Sequence, residues 1–265
     1  MKFVGRVQSL WRYPVKSMRG EELSQAFAGF GGVYGDRCWA FLSSGAREGF
    51  PYLTGREKET MLLYAPAYRD TAVMRHPPNL EHAEPLAATP LYPDDVALQV
   101  DVGTPEGTLM PIDDPRLIES LGNGLRDRHK LTLRRSQRAM TDCRPISLFS
   151  CQTVDQLSGE VGFPLDKRRF RANIYLNMED QKGFTENEFV GRTLRIGIRA
   201  EIAIVDRDRR CKMITLDPGT GGATPEVMRI LARDHDGMAG LYGAVLVEGT
   251  IRPGDEAILL GLDQG

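Results

Sequence analysis

The sequence predicts an α+β protein that is predominantly β, in which a β-barrel with a few short helices is joined to a β-rich N-terminal domain. Short apolar runs rich in aromatic and β-branched residues recur along the chain, and glycine, serine or proline bounds them. Residues 96–102 alternate apolar and polar side chains, as a half-buried strand does. Many short strands separated by turns are typical of a barrel or another compact β domain.

The first part of the chain contains four predicted strands and one proline-rich segment. Strands are expected at residues 2–13, 37–44, 59–66 and 96–102. Residues 76–95 carry several prolines and little periodicity, which predicts a long loop or a boundary region. We therefore predict a β-rich domain over residues 1–95 and a second domain over residues 96–265.

Three helices are predicted between the strands. Residues 113–129 begin with an aspartate cap and Pro115 at an early helical position. Residues 151–162 form a second short apolar-periodic segment, and residues 224–235 a third, with Thr224 as its cap.

The last third of the chain is again dense in predicted strands, which would complete the barrel. They lie at residues 172–178, 193–197, 200–207, 212–217, 243–249 and 256–261.

Composition excludes several classes of protein. The chain has 265 residues, of which 41% are hydrophobic and 26% charged, as in globular proteins. A net charge of -2 argues against nucleic acid as a stable partner. No segment approaches the roughly 18 consecutive apolar residues that a membrane helix needs, so no membrane association is expected. The N-terminus lacks a signal-peptide pattern, which makes a cytoplasmic location the expectation.

The cysteines do not indicate a disulfide framework or a zinc site. Cys38, Cys143, Cys151 and Cys211 are scattered, and no two have the C-x-x-C spacing of zinc or iron–sulfur ligands. The four histidines do not pair with them at ligand spacing either.

Two motifs in the first forty residues could hold an anion. Residues 13–20, "YPVKSMRG", present donors from Lys16 and Ser17 within a short loop. Residues 31–39, "GGVYGDRCW", place Arg37 after a glycine-rich turn, and arginine makes forked contacts with phosphate. A solvated strand end and a surface Asp–Arg pair are the alternative interpretations of the two motifs.

A third basic motif, "DKRRFRANIYLN", occupies residues 166–177. Arg169 and Arg171 alternate with Phe170, so on a strand the two arginines would share one face. That arrangement favours a localised anion site over a broad nucleic-acid surface.

The segment "DRDRRCKMITLDPGTG", residues 206–221, places Cys211 among three cations, which favours ionisation of its thiol. A lone cysteine is most often a small buried hydrophobe. A thiolate, however, is a nucleophile and a soft metal ligand. No histidine adjoins it as a general base, so a metal thiolate and a persulfide carrier remain as the functional alternatives.

Together these segments resemble the MOSC superfamily, the molybdenum-cofactor sulfurase C-terminal domain proteins. The resemblance extends over nearly the whole chain and is closest to the branch with an N-terminal β-barrel domain, which includes the amidoxime-reducing component. It is carried, in the family's order, by "YPVKSMRG", "GDRCW", "PISLFSCQTVDQL", "RRFRANIYLN", "FVGRTLRIG", "RRCKMITLDPGTG" and "GLYGAVLVEGTIRPGDEAILLG". The segment "YLTGREKE" is similar to a further family segment, with Gly55 as an extra residue.

The resemblance implies a MOSC-type barrel that binds a molybdenum cofactor, molybdopterin, whose pterin carries a phosphate. Cys211 is implied as the molybdenum ligand, and Asp217 lies near the metal; both are implied catalytic residues. The residues implied to surround the phosphate and pterin are Lys16, Ser17, Arg37, Ser150, Thr153, Arg171 and Asn173.

The resemblance further implies a molybdenum-dependent oxidoreductase that reduces N-hydroxylated small molecules. Some relatives append a ferredoxin-like iron–sulfur domain, for which this chain has neither the length nor the cysteines. Electrons are therefore expected from a separate reductase or ferredoxin-like protein. The alternatives are a sulfur carrier or transferase with a Cys211 persulfide, and a non-catalytic protein that binds the molybdenum cofactor.

Overall fold

The dominant feature of the computed structural model, which describes residues 1–86, 89–125, 130–178 and 181–261, is a closed barrel of seven strands. The strands of the described residues are β1 (Lys2–Arg12), β2 (Glu21–Leu23), β3 (Ala26–Gly29), β4 (Gly32–Val33), β5 (Trp39–Ser43), β6 (Ala65–Tyr68), β7 (Val100–Gly103), β8 (Leu109–Pro111), β9 (Leu131–Arg135), β10 (Ile146–Ser150), β11 (Ile174–Asn177), β12 (Thr193–Ile196), β13 (Ala200–Arg209), β14 (Met238–Val247), β15 (Gly249–Ile251) and β16 (Glu256–Leu259).

The barrel runs in the order β11-β10-β14-β13-β12-β16-β1, and pairing of β1 with β11 closes it. The β10–β11 pair is parallel, and the other barrel pairs are antiparallel. Strand β2 extends the sheet from β1 outside the ring. The predominantly β prediction with a barrel is therefore confirmed.

Four helices and five short 3₁₀ segments decorate the strands in the described part of the chain. The helices are α1 (Leu80–Leu86), α2 (Pro115–Gly122), α3 (Cys151–Val161) and α4 (Glu226–Asp234). The 3₁₀ segments are Glu59–Leu63, Val73–Arg75, Lys167–Phe170, Thr185–Phe189 and Lys212–Thr215. None of the helices among the described residues is long and apolar enough to cross a membrane.

Alternating burial along the strands builds the barrel interior. On β13, Ala200, Ile202 and Ile204 are at most 1% exposed, whereas Glu201 and Ala203 between them are partly exposed. This period of two is what a strand with one face toward a core requires. Each strand of the ring therefore contributes one apolar face to a shared core.

The strand β1 bends enough to serve two neighbours because it carries bulges. Its register shifts between Phe3 and Gly5 against β16, and between Val7 and Ser9 against β11. A Cβ atom at Gly5, where φ is 151°, would lie 2.2 Å from the carbonyl oxygen of Asn177. Glycine is thus required at this close approach, and the bulges give the strand the curvature that barrel closure needs.

A second β-rich unit lies beside the barrel and has its own core. It contains the sheets β5-β9 and β6-β7-β8, whereas the sheet β15-β3-β4 borders both cores, with Ala28, Val33 and Ile251 in the barrel core and Phe27 in the second one. Buried side chains that share this core include Val15, Phe41, Met61, Tyr68, Leu98, Val100 and Leu117.

Contacts cross the predicted boundary at residue 95 in both directions. Strand β7 pairs with β6, β9 pairs with β5, and β15 pairs with β3, while β1 belongs to the barrel. The division into residues 1–95 and 96–265 stays a prediction, and any division must accommodate these exchanged strands.

Several local predictions differ from the structure. The predicted helices at 113–129, 151–162 and 224–235 correspond to α2, α3 and α4, although α2 ends at Gly122 and residues 126–129 lie outside the described part. The predicted strands at 212–217 and at the start of 59–66 are wrong, because both segments form 3₁₀ turns. Consecutive burial of Ile214, Thr215 and Leu216 explains the first case, since the segment packs on all sides rather than on alternate ones.

Candidate functional site

A cationic cleft opens between one end of the barrel and the β-rich unit. Its volume is about 770 Å³, including space open to solvent. Among the described residues that line it, cations outnumber acids by eight to two. The cations are Lys16, Arg37, Arg56, Arg144, Arg169, Arg171, Arg209 and Arg210, and the acids are Asp142 and Asp208. Because the whole chain has a net charge of -2, this local excess marks the cleft as an anion site.

Two arginines pack against one tyrosine in the wall of the cleft. The guanidinium carbons of Arg37 and Arg171 lie 4.6 and 4.3 Å from the ring centroid of Tyr13. Arg37 pairs with buried Asp36 and donates from Nη2 to the carbonyl oxygen of Arg171 at 3.0 Å. Arg171 donates from Nη1 to the carbonyl oxygen of Met18 at 2.7 Å. These contacts hold two like charges side by side.

The position of Arg171 is electrostatically costly. Burial lowers the pKa of Arg171 to about 10, and the neighbouring Arg37 acts in the same direction. Burial also raises the pKa of Tyr13 to about 12, so its hydroxyl keeps its proton at neutral pH. A bound anion would relieve the repulsion between the two guanidinium groups.

Backbone strain concentrates at the same cleft. Five non-glycine residues in the described part have positive φ, and three of them line the cleft: Ser17 at 66°, Arg37 at 46° and Arg171 at 52°. The other two are Phe184 and Asp236. The left-handed region costs an L-residue about 1–2 kcal/mol, and such strain tends to cluster at functional sites.

A second group of charges lies on the side formed by the β-rich unit. Lys16 is 4% exposed, donates to the carbonyl oxygen of Met140 at 2.7 Å and pairs with Asp142. Arg56 Nη2 reaches the same carboxylate at 3.1 Å. Burial lowers the pKa of Lys16, while Lys16 and Arg56 outweigh burial and lower the pKa of Asp142.

Asp217 supports the cleft from behind and does not line it. Its Oδ2 accepts a hydrogen bond from Arg169 Nη2 at 2.9 Å, and its Oδ1 accepts the N–H groups of Gly219 and Thr220 at 2.9 and 3.0 Å. Partial burial opposes the shift, but these hydrogen bonds and Arg169 together lower the pKa of Asp217. The glycine-rich turn thus anchors an arginine that faces the cleft.

Four buried guanidinium nitrogens around the cleft have no hydrogen-bond acceptor. They are Nε of Arg56 and Arg169 and Nη2 of Arg171 and Arg210. A buried donor without a partner costs about 1–3 kcal/mol, and more when charged. The residues present therefore fit a ligand with several anionic oxygens, such as a phosphate.

Asp208 is the buried acid of the cleft, with 3% of its surface exposed. Arg210 Nη2 lies 2.9 Å from Asp208 Oδ2, but the pair is misaligned for a hydrogen bond, which leaves that nitrogen among the unpartnered donors. The other guanidinium nitrogens of Arg210 donate to the carbonyl oxygens of Ala239 and Phe170 at 2.6 and 2.8 Å.

Cys211 is a free, partly exposed cysteine in the cleft lining. It lies two residues after the end of β13 at Arg209 and directly before the 3₁₀ turn Lys212–Thr215. Its carbonyl oxygen accepts a hydrogen bond from the N–H of Ile214 at 3.2 Å. Of its sequence neighbours, Arg209 and Arg210 line the cleft, whereas Lys212 turns away to pair with Glu59 at 2.7 Å. A part-exposed thiol among guanidinium groups can serve as a thiolate ligand or nucleophile.

The structure brings five of the predicted site residues to the cleft and leaves the rest outside its lining. The five are Lys16, Ser17, Arg37, Arg171 and Cys211.

Ser150, Thr153 and Asn173 lie in buried hydrogen-bond networks. Ser150 Oγ caps α3 by accepting the N–H of Thr153 at 3.0 Å, and Thr153 Oγ1 donates to Glu186 Oε1 at 2.6 Å. Asn173 Oδ1 accepts the N–H of Ser147 at 3.2 Å. Their predicted contact with a cofactor stays a prediction.

Sequence reasoning assigned no role to several residues of the cleft lining. These are Thr54, Thr141, Asp142, Arg144, Ser147, Asp208, Met213, Ile214 and Tyr242. One usable signal was the acid Asp208, which stands between Arg207 and Arg209 just before Cys211. Another was the polar segment 141–144 immediately before the apolar strand β10.

Arg169 and Arg171 reach the cleft by a different route from the one predicted. Residues 167–170 form a 3₁₀ turn, and Arg171 follows it in the left-handed conformation. The predicted strand with both arginines on one face is therefore wrong, although both side chains line the cleft.

The barrel, the β-rich unit and the cleft between them define a two-part β protein with an anion site at the junction. The chain belongs to the MOSC family, in the group with an N-terminal β-barrel domain: residues 135–257 match the MOSC domain and residues 4–104 match the MOSC N-terminal beta barrel domain. MOSC domains are associated in general with binding of the molybdenum cofactor. No curated protein matches the chain.

Three solved structures are similar to this chain at low sequence identity. The YuaD protein from Bacillus subtilis is 14% identical, with 96% of this chain and 94% of that chain covered and a TM-score of 0.47. YiiM from Geobacillus stearothermophilus is 21% identical, with 46% and 57% covered and a TM-score of 0.36. YiiM from Escherichia coli is 14% identical, with 46% and 57% covered and a TM-score of 0.33.

Proposed function

We propose that this chain binds a phosphorylated pterin molybdenum cofactor in the cationic cleft and reduces N-hydroxylated small molecules with electrons from a separate reductase. The observation that carries the proposal is the set of four unpartnered guanidinium nitrogens around a free, part-exposed thiol. The donors suit a phosphate, and the thiolate of Cys211 suits a soft metal.

The cleft residues would divide the binding between them. Arg37 and Arg171, fixed against Tyr13, would bind the phosphate, with Lys16 as a third cation on the opposite side. Cys211 would be the protein ligand to molybdenum. When bound, the cofactor would supply two-electron exchange coupled to removal of an oxygen atom from the substrate.

The protein would contribute position and charge to this reaction. Asp217 holds the guanidinium group of Arg169 toward the cleft, which fixes one donor before any ligand arrives. Preorganised donors stabilise anionic groups better than water does because they need no reorganisation. The strained backbone at Ser17, Arg37 and Arg171 keeps those donors in place.

The overall reaction balances with two electrons and two protons. The N–O bond of R₂N–OH breaks, the nitrogen takes up one of the two protons to give R₂NH, and the hydroxyl oxygen takes up the other and leaves as water. The separate reductase, or a ferredoxin-like protein, would supply both electrons. The open mouth of the cleft suits a small-molecule substrate.

Metal analysis and an activity assay test the proposal together. The chain is produced in a host that makes the cofactor, its molybdenum content is measured, and reduction of a benzamidoxime and an N-hydroxylated purine is followed with reduced methyl viologen as donor. We expect about one molybdenum per chain and turnover of at least one compound. A molybdenum-loaded protein that reduces neither compound with this donor contradicts the reductase proposal.

Cys211→Ser and Cys143→Ser form a matched pair, since Cys143 is an exposed free cysteine that does not line the cleft. We expect Cys211→Ser to lose molybdenum while its circular dichroism spectrum stays unchanged, and Cys143→Ser to keep the metal. Equal molybdenum content in the two variants would remove Cys211 as the ligand.

The two alternative functions have their own signatures in the same samples. A Cys211 persulfide in the native mass spectrum, without bound molybdenum, would favour a sulfur carrier. Bound molybdenum that does not respond to dithionite would favour a non-catalytic binding protein.

A further inference from the structure

The acid Asp208 and the phenol of Tyr242 both belong to the wall of the cationic cleft, where Asp208 also forms an ion pair with Arg210 at 2.9 Å. Both line it, and Asp208 is 3% exposed. Tyr242 lies on β14, next to the strand β13 that carries Asp208, and its phenol interacts electrostatically with the Asp208 carboxyl group. An anion-binding surface alone has no need for a buried carboxyl group, which would repel the ligand.

A bulge in the β13–β14 pair places Asp208 at the cleft. The register shifts between Arg207 and Arg209, opposite Leu241 and Met238. Asp208, inside this irregularity, is buried, while Asp206 two residues earlier is exposed. Bulges commonly re-aim side chains next to active sites.

The charged groups that face Asp208 come from several elements. They are Arg210 and Tyr242, together with Asp142 and Arg37 at longer range. Burial raises the pKa of Asp208 and outweighs Arg210, Tyr242 and Arg37, which act in the opposite direction. The pKa of Tyr242 is raised as well, mainly by burial and then by Asp208, so its hydroxyl remains a donor.

An anionic ligand would strengthen this bias toward the protonated acid. Negative charge in the cleft would offset the arginines that favour the carboxylate. The acid would then hold a proton at the wall of the cavity in which the N-hydroxy group must sit. Proton transfer from a positioned acid is worth about 10²–10⁴-fold in rate.

We propose that Asp208 is the catalytic acid that protonates the oxygen leaving the substrate, with Tyr242 orienting its carboxyl group. The inference rests on the proposed function. In this step the N–O bond breaks with the two electrons supplied by the separate reductase, the Asp208 proton passes to the departing hydroxyl oxygen, which leaves as water, and the nitrogen takes up a second proton from solvent. The Asp208 carboxylate then regains a proton from solvent through the open side of the cleft.

A purely structural role would predict different behaviour. If Asp208 only held Arg210 in place, its loss would weaken binding of the anion and raise KM without a specific loss of kcat. A missing proton donor instead lowers kcat with molybdenum content and KM preserved.

The test compares Asp208→Asn with Asp206→Asn, an exposed acid on the same strand. We expect Asp208→Asn to keep its molybdenum and its KM within about twofold, and to lose about 10²–10⁴-fold in kcat. In Asp208→Ala, added acetic acid should restore part of the rate, which a structural defect would not allow. Asp206→Asn should match the wild type.

A second readout does not depend on turnover. Infrared titration of the cofactor-free chain, with and without inorganic phosphate, should show a carboxyl band that is absent from Asp208→Asn. This band should titrate above the ordinary pKa of an aspartate, in the direction that burial gives the pKa of Asp208, and phosphate should move it further upward. A band that titrates at or below the ordinary pKa of an aspartate overturns the proposal.

The outcomes separate this inference from the function on which it rests. If the wild type is active and the kcat of Asp208→Asn lies within twofold of the wild-type value, the role of Asp208 is refuted and the proposed function stands. A loaded wild type that reduces no N-hydroxy compound refutes both, since no oxygen then leaves. Loss of molybdenum from Asp208→Asn assigns the residue to binding and refutes it as the acid.

Discussion

Replacing Arg171 by glycine should stabilise the ligand-free protein while weakening its anion site. Arg171 has a buried guanidinium nitrogen, Nη2, and its pKa falls from 12.5 to about 10, chiefly through burial. At about 1.4 kcal/mol per pKa unit, holding this charge costs the fold about 3 kcal/mol at neutral pH. Release of the left-handed backbone, with φ at 52°, adds about 1 kcal/mol.

The variant also loses favourable contacts. The hydrogen bond to the carbonyl oxygen of Met18 and the stacking on Tyr13 together contribute about 3 kcal/mol. The net effect is an increase of about 1 kcal/mol in the free energy of unfolding, which raises the unfolding temperature of a chain of this size by about 2–4 °C. Loss of one charged donor should weaken binding of inorganic phosphate by roughly tenfold to a hundredfold.

The assay pairs thermal unfolding of the ligand-free protein with calorimetric titration of phosphate. Asp236→Gly is the matched control, because Asp236 has a φ of 56° and lies outside the cleft. It should gain only the backbone contribution and bind phosphate normally. A cation with a lowered pKa destabilises the fold below that pKa, so the advantage of Arg171→Gly should shrink as pH rises above about 10. A variant that is less stable, or that binds phosphate like the wild type, refutes this reasoning.

Three further predictions concern the cleft and its supports. Arg37→Glu should reduce molybdenum retention far more than Arg207→Glu, which reverses a charge outside the cleft lining; equal retention would contradict the assignment of the phosphate site. The pKa of Asp142 is lowered, so its carboxylate stabilises the fold at pH values above 3.8, the ordinary pKa of aspartate, and this stabilisation is lost as the pH falls further. Asp142→Asn should therefore flatten the acid limb of the plot of unfolding free energy against pH. Gly240→Ala should lower the free energy of unfolding in denaturant by at least about 2 kcal/mol, because φ is 77° and the new Cβ would lie 2.5 Å from a Phe149 ring carbon. The control Gly254→Ala, where φ is 89° and the space is open, should lower it by about 1 kcal/mol. Equal losses in the two variants would contradict the steric explanation.

The sequence predicted the strands and helices of the barrel, and it predicted individual residues of the cleft but not that they lie together. Alternating strands and helix caps are local signals, so strands such as β13 and helices such as α3 could be located from the residues. Lys16, Arg37 and Arg171 could be nominated because glycine and clustered cations mark anion sites. That they lie in one cleft depends on the packing of two β units, which no local pattern encodes.

Other features of the site depend on context that a single sequence lacks. Asp208 became a buried acid through a bulge in strand pairing, and a bulge has no periodic signature. Ser150 fits a helix cap as well as a cofactor ligand, and the structure uses it as the cap. The turn at Lys212–Thr215 has the composition of a strand, but local packing decides its conformation.

The position of β1 has a consequence for the order of events during synthesis. Its residues leave the ribosome before those of its barrel partners, which are β11, beginning at Ile174, and β16, beginning at Glu256. At about 5–20 residues per second, β1 waits roughly ten to fifty seconds for them. Such a long-range closure folds slowly and leaves an unpaired strand exposed meanwhile. The nascent chain should therefore depend on protection of strand β1 until strand β16 is complete.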